Sequence, residues 1–98
     1  MMRRRRQPEI IAGRVNADGT IAAGDGFTVT KGAAGLFTIT FGSGFRVVGV
    51  TATSAAGAAN RAADALPQGD RSVLITTYTA TTAALADYPF NFQATGVQ

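Results

Sequence analysis

A chain of 98 residues holds one domain and one modest core. It contains no cysteine and no histidine, which excludes disulfides, thiolate metal sites, the commonest metal ligand and the usual general base. Four of its nine basic residues are Arg3, Arg4, Arg5 and Arg6; from Gln7 onward five basic residues face six acidic ones, so the body is nearly neutral and the net +3 belongs to the tail.

Residues 1–7 form a charged arm, and residues 8–98 form a single domain. Pro8 closes the arm, because proline disfavours helix at the residue before it. Residues 9–15 are a short apolar stretch that reads as a first strand. Asn16-Ala17-Asp18-Gly19 and Gly24-Asp25-Gly26 are turns, where Asp-Gly supplies the positive φ that a tight turn needs. Phe27-Thr28-Val29-Thr30-Lys31 and Leu36-Phe37-Thr38-Ile39-Thr40-Phe41 each alternate apolar and polar residues. Joined by Gly32-Ala33-Ala34-Gly35, they predict a β-hairpin, with Phe37, Ile39 and Phe41 on one face.

Residues 45–53 predict a Val-rich strand in which Val47 and Val48 point to opposite faces, both covered. Residues 54–59 are weakly specified. Residues 60–66 fit either a helical turn, favoured by Ala62, Ala63 and Ala65, or a strand. Pro67-Gln68-Gly69-Asp70 is a turn. Residues 71–79 predict a strand, 81–87 a loop, and 88–97 a last strand with Tyr88, Phe90, Phe92, Ala94 and Gly96 on one face. Strands recurring every roughly 8–12 residues with turns between them predict an all-β fold, a small antiparallel β-sandwich.

Little in the chain carries chemistry. Asp18, Asp25 and Asp70 sit beside glycine in turns, and no closely spaced oxygen array suits Ca²⁺. Ser43, in Phe41-Gly42-Ser43-Gly44-Phe45, echoes a nucleophile elbow, but that motif needs a strand-to-helix turn and a histidine partner. No enzyme, cofactor or metal is expected. No apolar run reaches the ~18 residues of a membrane-spanning helix, and no apolar stretch follows the arginines as it does in a secretion signal. Arg3, Arg4, Arg5 and Arg6 are the sharpest local feature. They read as an electrostatic arm for an acidic partner, against the plainer alternative of a solubilising terminus. Protein is favoured over nucleic acid as that partner, because the body lacks basic residues interleaved with aromatics. Most aromatics occupy alternating strand positions and belong to the core; Tyr78 and Tyr88 are left as candidates for glycan contact. Thirteen threonines, much alanine and low charge point to a surface covered by neighbours.

The stretches Gly26-Phe27-Thr28-Val29-Thr30, Gly35-Leu36-Phe37-Thr38-Ile39-Thr40-Phe41, Phe45-Arg46-Val47-Val48-Gly49-Val50-Thr51-Ala52 and Tyr88-Pro89-Phe90-Asn91-Phe92-Gln93-Ala94-Thr95-Gly96 resemble a group of small bacteriophage virion modules. These are trimeric C1q/TNF-like jelly rolls that serve as capsid decoration proteins, head fibres and tail-fibre tips. The resemblance spans about residues 8–97. It departs from the group at Phe37, where a tyrosine is common, and in the alanine-rich 55–65 segment. It implies a jelly-roll-like sandwich that forms a homotrimer. It also implies a virion location with the major capsid protein or another virion protein as partner, and no catalytic residues. A short chain without a shaft suits a capsid decoration protein, with the arm gripping capsid subunits. A receptor- or glycan-binding knob of a tail or head fibre is the alternative, and a nucleic-acid-binding protein a third reading.

Overall fold

The computed structural model describes residues 8–42, 44–55 and 61–97. Nine strands follow in chain order: β1 (Pro8–Val15), β2 (Ile21–Ala23), β3 (Phe27–Lys31), β4 (Leu36–Phe41), β5 (Arg46–Ser54), β6 (Arg61–Pro67), β7 (Ser72–Thr79), β8 (Ala84–Leu85) and β9 (Phe90–Val97). They form two antiparallel sheets, ordered β2-β1-β9-β5 and β3-β4-β7-β6, with the short β8 on the end of β7. The first and last strands, β1 and β9, are neighbours inside one sheet, and β4 and β7 are neighbours inside the other. Strands β5 and β6 flank them and lie against each other along one side. A long strand pair rolled over itself gives this order, so the fold is a small jelly-roll-like sandwich.

Period-2 patterning places the core. In β4 the buried residues are Phe37, Ile39 and Phe41, and in β9 they are Phe90, Phe92, Ala94 and Gly96. The two inner faces lock through aromatic pairs. Phe27 meets Phe92 edge-on at 4.8 Å between ring centroids, and Phe37 meets Phe90 at 5.0 Å. Such pairs add about 0.5–1.5 kcal/mol each beyond the area they bury. Phe45 lies over Gly96, where a Cβ would come within 2.6 Å of its ring and would also meet the Arg46 carbonyl oxygen. The bare glycine in β9 is therefore what lets the β4–β5 connection close over the core.

The predicted hairpin pairs as expected, Phe27 with Phe41 through Lys31 with Phe37. Elsewhere the structure decides an open alternative or departs from the expectation. Residues 61–67 are a strand, paired with β7 along its length, with Ala63 and Ala65 packed on the core; burial on a period of two outweighs the helix propensity of alanine. Val48 is not covered but 67% exposed. It points away from Val47, as alternation requires, and a bulge between Val47 and Gly49 leaves it without a register partner and returns Val50 to the core. Tyr88 precedes the last strand, which begins only after Pro89, a residue with no N–H to give to a ladder. The 81–87 loop contains β8, and β2 is a short strand not expected from the pattern.

Candidate functional site: interaction surfaces

The arm carrying Arg3, Arg4, Arg5 and Arg6 lies outside the described residues. Its point of attachment is defined: Pro8 pairs with Val97, and Val97 pairs on its other side with Arg46. Tyr78 and Tyr88 are not brought together. The Tyr78 ring stands on the outer face of β7, half-buried, and its hydroxyl donates to Asp64 Oδ2 at 3.0 Å across the β6–β7 pair. That bond to a carboxylate holds the phenol protonated above its ordinary range. Tyr88 instead joins Thr77 and Thr79 at the inner end of the sandwich. Its N–H donates to Thr77 Oγ1 at 3.3 Å, its hydroxyl shares a 2.8 Å hydrogen bond with Thr79, and the Arg61 guanidinium sits 4.6 Å from its ring centre. The polar tips of both tyrosines are engaged within the chain.

A polar knot ties this end of the molecule. Asp87 Oδ1 accepts from the Gly35 N–H at 2.7 Å and from Lys31 Nζ at 2.8 Å. Lys31 also donates to the Gly32 and Ala33 carbonyls and lies 5.0 Å from the Phe37 ring centre. Thr77, fully buried, donates its hydroxyl to the Ala86 carbonyl, while its N–H bonds the Gly35 carbonyl at 2.8 Å. The Gly35 N–H first, and Lys31 second, hold the Asp87 carboxyl below its ordinary value of 3.8. A depressed carboxylate stabilises the fold above the unfolded value and loses that contribution as pH falls through the folded one. Asp87→Asn should therefore destabilise at neutral pH and converge on the wild type below about pH 3.8. Melting curves from pH 2 to 7 measure this; parallel curves for the two proteins would refute it. Asp18, held low by the Thr20 hydroxyl and N–H, behaves alike in both proteins.

The outer faces of the sheets carry few charges. On the first sheet Ile10, Thr95 and Gly49 lie in one row across β1, β9 and β5, with Val48 turned out beside them. Ile10 is 62% exposed, and Ala12, Gln93, Thr51 and Thr53 continue the surface. Arg14, bonded to Asn91, and Arg46 are its basic residues. On the second sheet Thr28, Thr30, Thr38, Thr40, Leu74 and Leu66 face outward around one carboxylate, Asp64. The composition indicated such surfaces, but not the row itself. Gly49 inside a strand pattern is the signal of a bulge, and it was the clue to Val48.

Among the described residues no three His, Cys, Asp or Glu side chains are placed to hold a metal ion. Among the same residues no helix is long and apolar enough to cross a membrane. No family model, curated protein or solved structure matches the chain.

Proposed function

We propose that this protein is a non-enzymatic bacteriophage virion component, a capsid decoration protein that sits on the outside of the head as a homotrimer. The observation that carries the reading is the outward row of Ile10, Thr95 and Gly49, with exposed Val48 beside it, on a face with few charges. Exposed apolar side chains gathered on one face favour contact with another protein surface. The jelly-roll order and the resemblance of the hairpin and closing-strand motifs to phage modules support a virion role.

A cyclic trimer sets three arms on one side, so weak contacts by Arg3, Arg4, Arg5 and Arg6 add up through effective concentration. A protein that binds only the assembled lattice stabilises it by mass action. The test is immunogold labelling of purified virions that carry an epitope-tagged copy of the chain. Label distributed over heads is the expected result. Label confined to tail or fibre tips would replace this reading with the receptor- or glycan-binding knob, and unlabelled virions would end both.

A further inference from the structure

The outer face of the second sheet holds a shallow depression of about 570 Å³, lined by Thr38 and Thr40 of β4, Ser72 of β7, and Asp70 and Arg71 of the turn before it. Alternation sets the three hydroxyl residues outward, because Phe37, Ile39, Phe41 and Val73 beside them are buried. Thr40 and Ser72 face each other across the β4–β7 pair, and Thr38 stands two residues along β4. The three residues are therefore spread about 5 Å across the strands and about 7 Å along them, the footprint of one sugar ring.

Backbone hydrogen bonds fix the lining from the turn into β7. The Phe41 N–H donates to the Arg71 carbonyl at 2.8 Å, the Val47 N–H to the Asp70 carbonyl at 2.7 Å, and the Gln68 N–H to the Ser72 carbonyl at 2.9 Å. The side chains are unused: among the described residues, Thr38, Thr40, Asp70, Arg71 and Ser72 make no side-chain hydrogen bond, ion pair or ring contact. A site held by its backbone, with its polar side chains free, needs little reordering to accept a ligand. A second depression, of about 500 Å³ on the first sheet, differs in this respect, since its Arg14 and Asn91 are bonded to each other.

From this we infer that the depression on the second sheet is a binding site for an uncharged saccharide. Asp70 as a carboxylate only accepts hydrogen bonds, Arg71 only donates them, and the Thr38, Thr40 and Ser72 hydroxyls do both. One carboxylate beside one guanidinium leaves no net charge to gather ions of either sign. The matching ligand is neutral and carries several groups that each donate and accept, which describes the vicinal hydroxyls of a sugar. A phosphate would meet the Asp70 carboxylate, and a nucleobase would find no ring to stack on, because Phe41 is buried. Tyr78 lies six residues along β7 from Ser72, about 20 Å away, and is no part of the site. The inference goes beyond the decoration role and does not depend on where in the virion the protein sits. Copies that cover the first sheet would leave this second face open to a ligand.

The test is a titration of the isotope-labelled full chain, followed by amide chemical shifts, with the methyl glycosides of glucose, galactose and mannose and with N-acetylglucosamine. Each sugar is taken to about 0.1 M, so that millimolar dissociation constants register. At least one should give saturable shifts at Thr38, Thr40, Asp70, Arg71 and Ser72, and its affinity should not change with salt. Asp70→Ala should weaken that binding about tenfold to a hundredfold, the loss of a hydrogen bond to a charged group. Its melting temperature should stay unchanged, because the Asp70 side chain has no partner in the fold. Arg14→Gln, on the first sheet, should bind as the wild type does. No saturable shift with any of the four sugars overturns the inference, as does wild-type affinity in Asp70→Ala. Saturation by inorganic phosphate in place of the sugars overturns the assignment to an uncharged ligand, and shifts centred on Tyr78 or Tyr88 overturn the site.

Discussion

Phe90→Ala should cost about 3–5 kcal/mol, the usual penalty for deleting a fully buried phenyl ring. Phe90 has no solvent exposure, and its ring meets Phe37 at 5.0 Å and Phe92 at 6.5 Å. It thus joins the closing strand of one sheet to the middle of the other. A domain of this size has about 5–15 kcal/mol in total, and each kcal/mol moves its melting temperature by about 4–8 °C. The variant should melt tens of degrees lower by calorimetry, compared at equal protein concentration because self-association would itself raise the melting temperature. A loss below about 1 kcal/mol would mean that the two sheets do not depend on this contact.

Gly35→Ala should be nearly as damaging, for a different reason. Gly35 has φ +76°, and a Cβ there would lie 2.5 Å from the Thr77 carbonyl oxygen and 3.0 Å from the Ala86 nitrogen. The left-handed conformation costs about 1–2 kcal/mol for a residue with a side chain, and forcing atoms into a packed site adds about 1–3 kcal/mol. Backbone is the obstacle, so no rotamer change relieves it. The damage should spread to the knot, because Gly35 also donates to Asp87 and accepts from Thr77. Amide exchange at Thr77 and Ala86 should rise ahead of exchange at the β1–β9 pair. Uniform loss of protection across both sheets would contradict that local origin.

The parts of this fold legible from sequence are those where a period of two meets a large side-chain contrast. Leu36-Phe37-Thr38-Ile39-Thr40-Phe41 and Phe90-Asn91-Phe92-Gln93-Ala94 alternate strongly, and each lies in the middle of a sheet. Strand β6 was ambiguous because alanine has little contrast, and only pairing with β7 decides its conformation. Val48 was rightly set on the face opposite Val47; the inward return of Val50 was not legible, because one inserted residue reverses every later side chain and the pattern alone does not count the partner strand. The candidate surfaces divide in the same way. A run of four arginines is visible as charge. The approach of the start of β5 to the turn before β7 depends on a backbone bond from Val47 to Asp70, far apart in sequence, and the separation of Tyr78 from Tyr88 depends on which face of β7 each one joins.

The central claim is that the protein works as an assembly, with copies of itself covering the exposed row on the first sheet. Its molar mass in solution, by light scattering after size exclusion at micromolar concentration, tests that most directly. The account predicts a single species of three times the 10.0 kDa chain mass. A species of 10.0 kDa that persists as the concentration is raised would contradict it.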